Sequence, residues 1–109
     1  MIKQKTIELL GKKFQLNQLK LKYATEIMDY QSSKLAIPYE FKVECIIDGV
    51  KLIEEGHPVR MTEETINTEF MSHPSAFTLL FSALVKLTFE DDQKKSEEYL
   101  KAASSLIDL

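Results

Sequence analysis

A single cysteine, Cys45, stands in the whole chain, which excludes an internal disulfide and fits a reducing compartment. Glycine is scarce as well: there are three, no two of them neighbours, so no phosphate-cradling glycine loop can be written. The two histidines, His57 and His73, lie sixteen positions apart, each beside a proline. A zinc site wants ligands in close pairs, and neither histidine nor Cys45 has one nearby. No apolar stretch reaches the roughly 20 residues that span a bilayer. Near the start, Glu8 and Gly11 break up any secretory-type run despite Lys3 and Lys5. Internal repeats and low-complexity tracts are also missing. The expectation is a cytoplasmic chain with no membrane segment, no cofactor, no metal and no catalytic set.

What the chain does hold is ordinary for one small domain, and its 109 residues suffice to bury a core. The distribution of charge is less ordinary. In residues 1–22, six lysines (Lys3, Lys5, Lys12, Lys13, Lys20 and Lys22) stand against Glu8, giving +5. The eight basic and sixteen acidic residues that remain give −8. A basic edge on an acidic body can steer an acidic partner or a second copy, or it can be a solvated lysine-rich hairpin. The basic segment contains no arginine for bidentate phosphate or base contacts, so nucleic acid is disfavoured as a partner.

Pro74 to Phe89 organises the rest. Its polar residues Ser75, Thr78, Ser82 and Lys86 are spaced by three, four and four, which puts them on one narrow line of a helix. Almost all the remaining circumference is apolar and must be covered, with Ala76, Phe77, Leu80, Phe81, Leu84 and Leu87 expected in the core. Pro74 suits the first helical position. Upstream, Thr6 to Leu10 and Phe14 to Leu16 flank Gly11-Lys12-Lys13 and read as a β-hairpin. Asn17 is a candidate cap for a helix to about Gln31, with a stripe of Leu19, Tyr23, Ile27 and Tyr30. Ser32 and Ser33 end it, and Ala36-Ile37-Pro38 is a connector.

Residues 39–55 support two readings. Asp48-Gly49 between apolar runs is a hairpin signature. Val43, Ile46, Ile47, Val50 and Ile53 also recur at helical spacing, between Pro38 and Gly56, and the helix is preferred. Thr62 can cap a short helix that includes Ile66 and Phe70. After Glu90-Asp91-Asp92 a last helix is expected, with Tyr99, Leu100, Ala103, Leu106 and Ile107 on one face. The whole is read as one α+β domain over residues 1–109. Residues 1–17 form an N-terminal β-hairpin, packed on a mainly helical body (18–109) of four to five helices.

Chemistry is harder to find. Cys45 lies among Val43, Ile46 and Ile47, where a cysteine is usually a small buried hydrophobe. Paired carboxylates such as Glu63-Glu64 and Asp91-Asp92 fall on expected helix faces and starts. The aromatics Phe77, Phe81 and Phe89 have no alternating basic residues and read as core rather than as a base-stacking platform.

The hairpin with its glycine-lysine turn (Ile7-Glu8-Leu9-Leu10-Gly11-Lys12-Lys13-Phe14-Gln15-Leu16) leads into an amphipathic helix and an acid-rich helical body. In this order of elements the chain resembles the tail assembly chaperones of long-tailed bacteriophages and prophages. The resemblance implies a non-enzymatic protein of the bacterial host cytoplasm. It would keep the tape-measure protein soluble, help recruit tail-tube proteins, and form a homo-oligomer. It carries over no functional residue. Two other readings are a small regulatory module of a mobile element, binding nucleic acid or protein, and a small enzyme built on Cys45 and a histidine.

Overall fold

Alternation of side chains sets the first hairpin. Strands β1 (Gln4–Leu9) and β2 (Lys12–Asn17) pair antiparallel with Ile7 opposite Phe14. The computed structural model describes residues 3–107, with side-chain surroundings for residues 3–92. Leu10 and Gly11 both adopt positive φ (55° and 73°), the requirement of a two-residue type I′ turn. The turn is therefore Leu10-Gly11, one step earlier than the sequence reading, and Lys12 and Lys13 belong to β2.

Helix α1 (Leu21–Ser32) begins four residues after Asn17, which does not cap it. Asn17 ends β2 and accepts a hydrogen bond from Gln4 Nε2 instead. Two N–H groups ahead of α1 find side chains elsewhere: Leu19 N donates to Thr88 Oγ1 and Lys20 N to Asp48 Oδ2. The helix ends in a Schellman arrangement, with Leu35 N bonded to the Tyr30 carbonyl and Lys34 at φ 56°.

Helix α2 (Tyr39–Gly49) starts after Pro38 and passes directly into β3 (Val50–Glu54). Of the two sequence readings of residues 39–55, the helix holds for Tyr39–Gly49 and fails beyond it, and the hairpin about Asp48-Gly49 is not formed. The chain beyond Gly49 pairs with β2 instead of continuing the helix, and Gly49 is closely packed: a Cβ there would lie 2.8 Å from Leu84 Cδ1 and 3.0 Å from the Asn17 carbonyl oxygen. Beyond it the pattern alternates, with Val50 and Leu52 buried and Lys51 between them exposed. A second two-residue turn, Glu55-Gly56 at φ 49° and 81°, leads to β4 (His57–Arg60). The portion after residue 17 thus carries a hairpin of its own.

The four strands form one antiparallel sheet in the order β1-β2-β3-β4. Phe14 faces Leu52 and Leu16 faces Val50, so the inner face of the two central strands is apolar and closed. The opposite face presents the row Thr6, Gln15, Lys51 and Arg60.

Helix α3 (Glu63–Phe70) is capped as expected, Thr65 N donating to Thr62 Oγ1, with Glu63 and Glu64 in its positive first turn. Helix α4 then runs unbroken from Pro74 to Ile107. The break expected at Glu90-Asp91-Asp92 does not occur, since no proline or glycine follows Pro74 and acids are tolerated on an exposed face. The side chains of Tyr99, Leu100, Ala103, Leu106 and Ile107 lie outside those described.

Four helices and a four-stranded sheet make this an α+β fold. Helix α4 touches α1, α2, α3, β1 and β2, and is the common wall of the core. Ala76, Leu80, Phe81, Leu84 and Leu87 are buried, while Phe77 is half-buried. Full burial of side chains such as Leu80 and Leu84 contributes about 1.5–3 kcal/mol each.

Candidate protein-binding grooves

Cys45 is wholly enclosed on α2. Burial, then the charges of Asp48, Glu26 and Glu44, push its thiol up to about 12, so little thiolate exists near neutral pH. His57 on β4 and His73 ahead of α4 are both exposed, away from an enclosed thiol. Among the described residues, no group of three or more His, Cys, Asp or Glu is arranged to hold a metal ion.

The lysine-rich segment is partly neutralised within the fold. Lys3 Nζ lies 3.3 Å from Asp91 on α4, Lys12 Nζ 2.6 Å from Glu69 on α3, and Lys20 Nζ 3.4 Å from Asp48 on α2. Lys3 also donates to the Leu87 carbonyl. Half of the six lysines thus face acids contributed by three different helices.

Apolar surface is what the fold leaves open. Met28 of α1, Ile37 of the connector, and Phe81, Val85 and Phe89 of α4 line a groove of about 530 Å³, together with the polar Gln31, Ser82, Lys86 and Asp92. A second groove of about 400 Å³ opens on the other side of Ile37, between Tyr39, Phe70, Met71 and Phe77. Ile37 borders both. Tyr39 and Phe77 pack with ring centroids 5.8 Å apart, and Phe70 and Phe77 at 6.1 Å, which fixes the second floor. Met71, at 77% exposure, and the exposed Met28 give the rims unbranched, polarizable side chains that adapt to different partners.

The origin of these grooves is the breadth of the apolar circumference of α4. The sheet, α2 and α3 cover one side of the helix, but Leu79 remains 60% exposed and Phe77, Val85 and Phe89 are only half-buried. Lys42 of α2 lines the second groove, and its Nζ sits 5.6 Å above the ring of Phe81, which lines the first. No carboxylate lies within 4.0 Å of Lys42 or Lys86 among the described residues. Sequence reading treated Ile37 only as connector and gave Lys42 no role. The apolar run Leu35-Ala36-Ile37 after the polar Ser32-Ser33-Lys34 is the signal that the sequence carries.

An α+β domain with two adjoining apolar grooves is the class that fold and site define. Compared with family models, curated proteins and solved structures, the chain matches none.

Proposed function

We propose that this protein is a non-enzymatic adaptor or assembly chaperone that binds apolar helical segments of a longer partner. The observation that carries the reading is the pair of grooves meeting at Ile37, bordered by the uncovered side of α4. Grooves lined by aromatic, aliphatic and methionine side chains suit an amphipathic helix that lays down anchors at i, i+3, i+4 and i+7. The enclosed, weakly acidic Cys45 supports a binding role over a nucleophilic one.

Taken with the order of its elements, the proposed identity is a tail assembly chaperone of a long-tailed phage or prophage. It acts in the bacterial cytoplasm on the tape-measure protein, several copies to each partner chain, and assists recruitment of tail-tube subunits. An N-terminal hairpin resting on helices would then be the frame that holds the grooves open. The net charge of −3 favours solubility of such a complex only modestly.

Co-expression with the tape-measure protein of the same element tests this. The expected result is a soluble, co-purifying complex that is lost in Met28→Glu and Met71→Glu, both exposed groove residues whose replacement leaves the core intact. If the partner is equally soluble without this protein and the two never co-purify, the assignment is wrong.

A further inference from the structure

Lys42 is half-buried at the junction of the two grooves, over the Phe81 ring and without a carboxylate partner among the described residues. Among the described residues three lysines meet acids from distant elements, whereas the groove lysines Lys42 and Lys86 do not, and of these two Lys42 is the one set over an aromatic ring. Its ammonium is held partly out of water on an aromatic face, where an opposite charge gains more than on an open surface. Asn67, whose Oδ1 accepts from the Tyr39 hydroxyl, adds a second polar group to the same groove. Apolar side chains thus surround Lys42 in the second groove, where no acid is among the described lining residues, while the first groove adds Lys86 and Asp92.

We infer that the joined grooves take an amphipathic α-helix of another protein that carries a carboxylate between its apolar anchors, and that this carboxylate pairs with Lys42. The inference rests on the helix-binding reading above and specifies the partner's chemistry. A second copy of this chain is a poorer occupant. A two-fold contact centred on Ile37 would bring Lys42 of one copy near Lys42 of the other, and Asp92, the acid among the described lining residues, borders the first groove and not the one that Lys42 lines. A purely apolar helix would leave the ammonium desolvated and unpaired, which costs free energy. An acidic residue at the middle of the bound helix removes both penalties.

The test uses the full chain and three synthetic amphipathic peptides of roughly 20 residues, long enough to hold helical structure. They are identical except for one central residue on the apolar face: Glu, Gln or Lys. Affinities are measured by calorimetry at low and moderate salt. The Glu peptide should bind about tenfold more tightly than the Lys peptide, with Gln between, and the gap should narrow with salt. Lys42→Glu should reverse the order, and Lys42→Gln should collapse it, in protein whose circular dichroism is unchanged. Equal binding of all three peptides, or an order unaffected by Lys42→Glu, overturns the inference while leaving the helix-binding reading in place. Failure of every peptide to bind overturns both. Concentration-dependent self-association that Met28→Glu abolishes would assign the surface to a second copy and overturn the inference as well.

Discussion

At position 49, an added methyl group would press on Leu84 Cδ1 at 2.8 Å and on Leu19 Cδ2 at 3.1 Å, with the Asn17 carbonyl oxygen at 3.0 Å behind it. Two of these neighbours are flexible side-chain ends, but the third is backbone and cannot retreat cheaply. Replacing glycine by alanine in a helix ordinarily gains up to about 1 kcal/mol. Here the gain is small, since Gly49 is the last helical residue, and overpacking costs typically 1–3 kcal/mol, so ~1–2 kcal/mol should be lost overall. Gly49→Ala is thus expected to lower the urea midpoint at unchanged slope. Cys45 gives a second prediction at this scale. Its thiol ionises at about 12 in the fold and near its ordinary 9.0 when released. A raised acid pKa favours the fold fully below 9.0, and that contribution fades as pH climbs towards 12. Unfolding free energy measured from pH 8 to 11 should fall more steeply in the wild type than in Cys45→Ala. Parallel curves would mean that the thiol ionises as freely inside as outside.

Both hairpins turn on a residue that dislikes its backbone. Leu10 and Glu55 take the first positive-φ position of their turns, where an L side chain costs roughly 1–2 kcal/mol and asparagine is far better suited. Glu55→Asn should stabilise the protein by about 0.5–1 kcal/mol, read as a higher urea midpoint; no change would mean the turn relaxes to another form. The first hairpin, the Thr62 cap and the Pro74 start were legible in the sequence because each depends on neighbours a few residues away. The β3 strand was not. Val50 and Ile53 satisfy helical spacing and strand membership equally, and what makes Val50 a strand residue is its pairing with Leu16, thirty-four positions upstream. The grooves were hidden for a related reason. Phe77, Phe81, Val85 and Phe89 form a stripe whether they face core or partner, and only the placement of α1 and the connector exposes that side. Lys42 looks like any surface lysine until Phe81 is set beneath it.

Across the whole molecule, the opposed charges of the two portions of the chain meet each other. Lys3, Lys12 and Lys20 tie the N-terminal segment to α4, α3 and α2, so the basic edge inferred from sequence is smaller than its lysine count. Lys5, Lys13 and Lys22 have no such acid within 4.0 Å among the described residues. The double change Lys12→Gln with Lys20→Gln should therefore destabilise by up to about 1 kcal/mol per pair, while Lys5→Gln with Lys13→Gln should leave the urea midpoint nearly unmoved. Equal effects would show that the pairs contribute nothing beyond general charge. The order of the sheet has a consequence in time as well. β1–β2 and β3–β4 each close across two residues and can form within microseconds. The seam between β2 and β3 must wait until the chain from residue 18 to 49, carrying α1 and α2, has been looped back. The pairing of Phe14 with Leu52 across that seam is therefore the step of the sheet that carries the large loop-closure entropy.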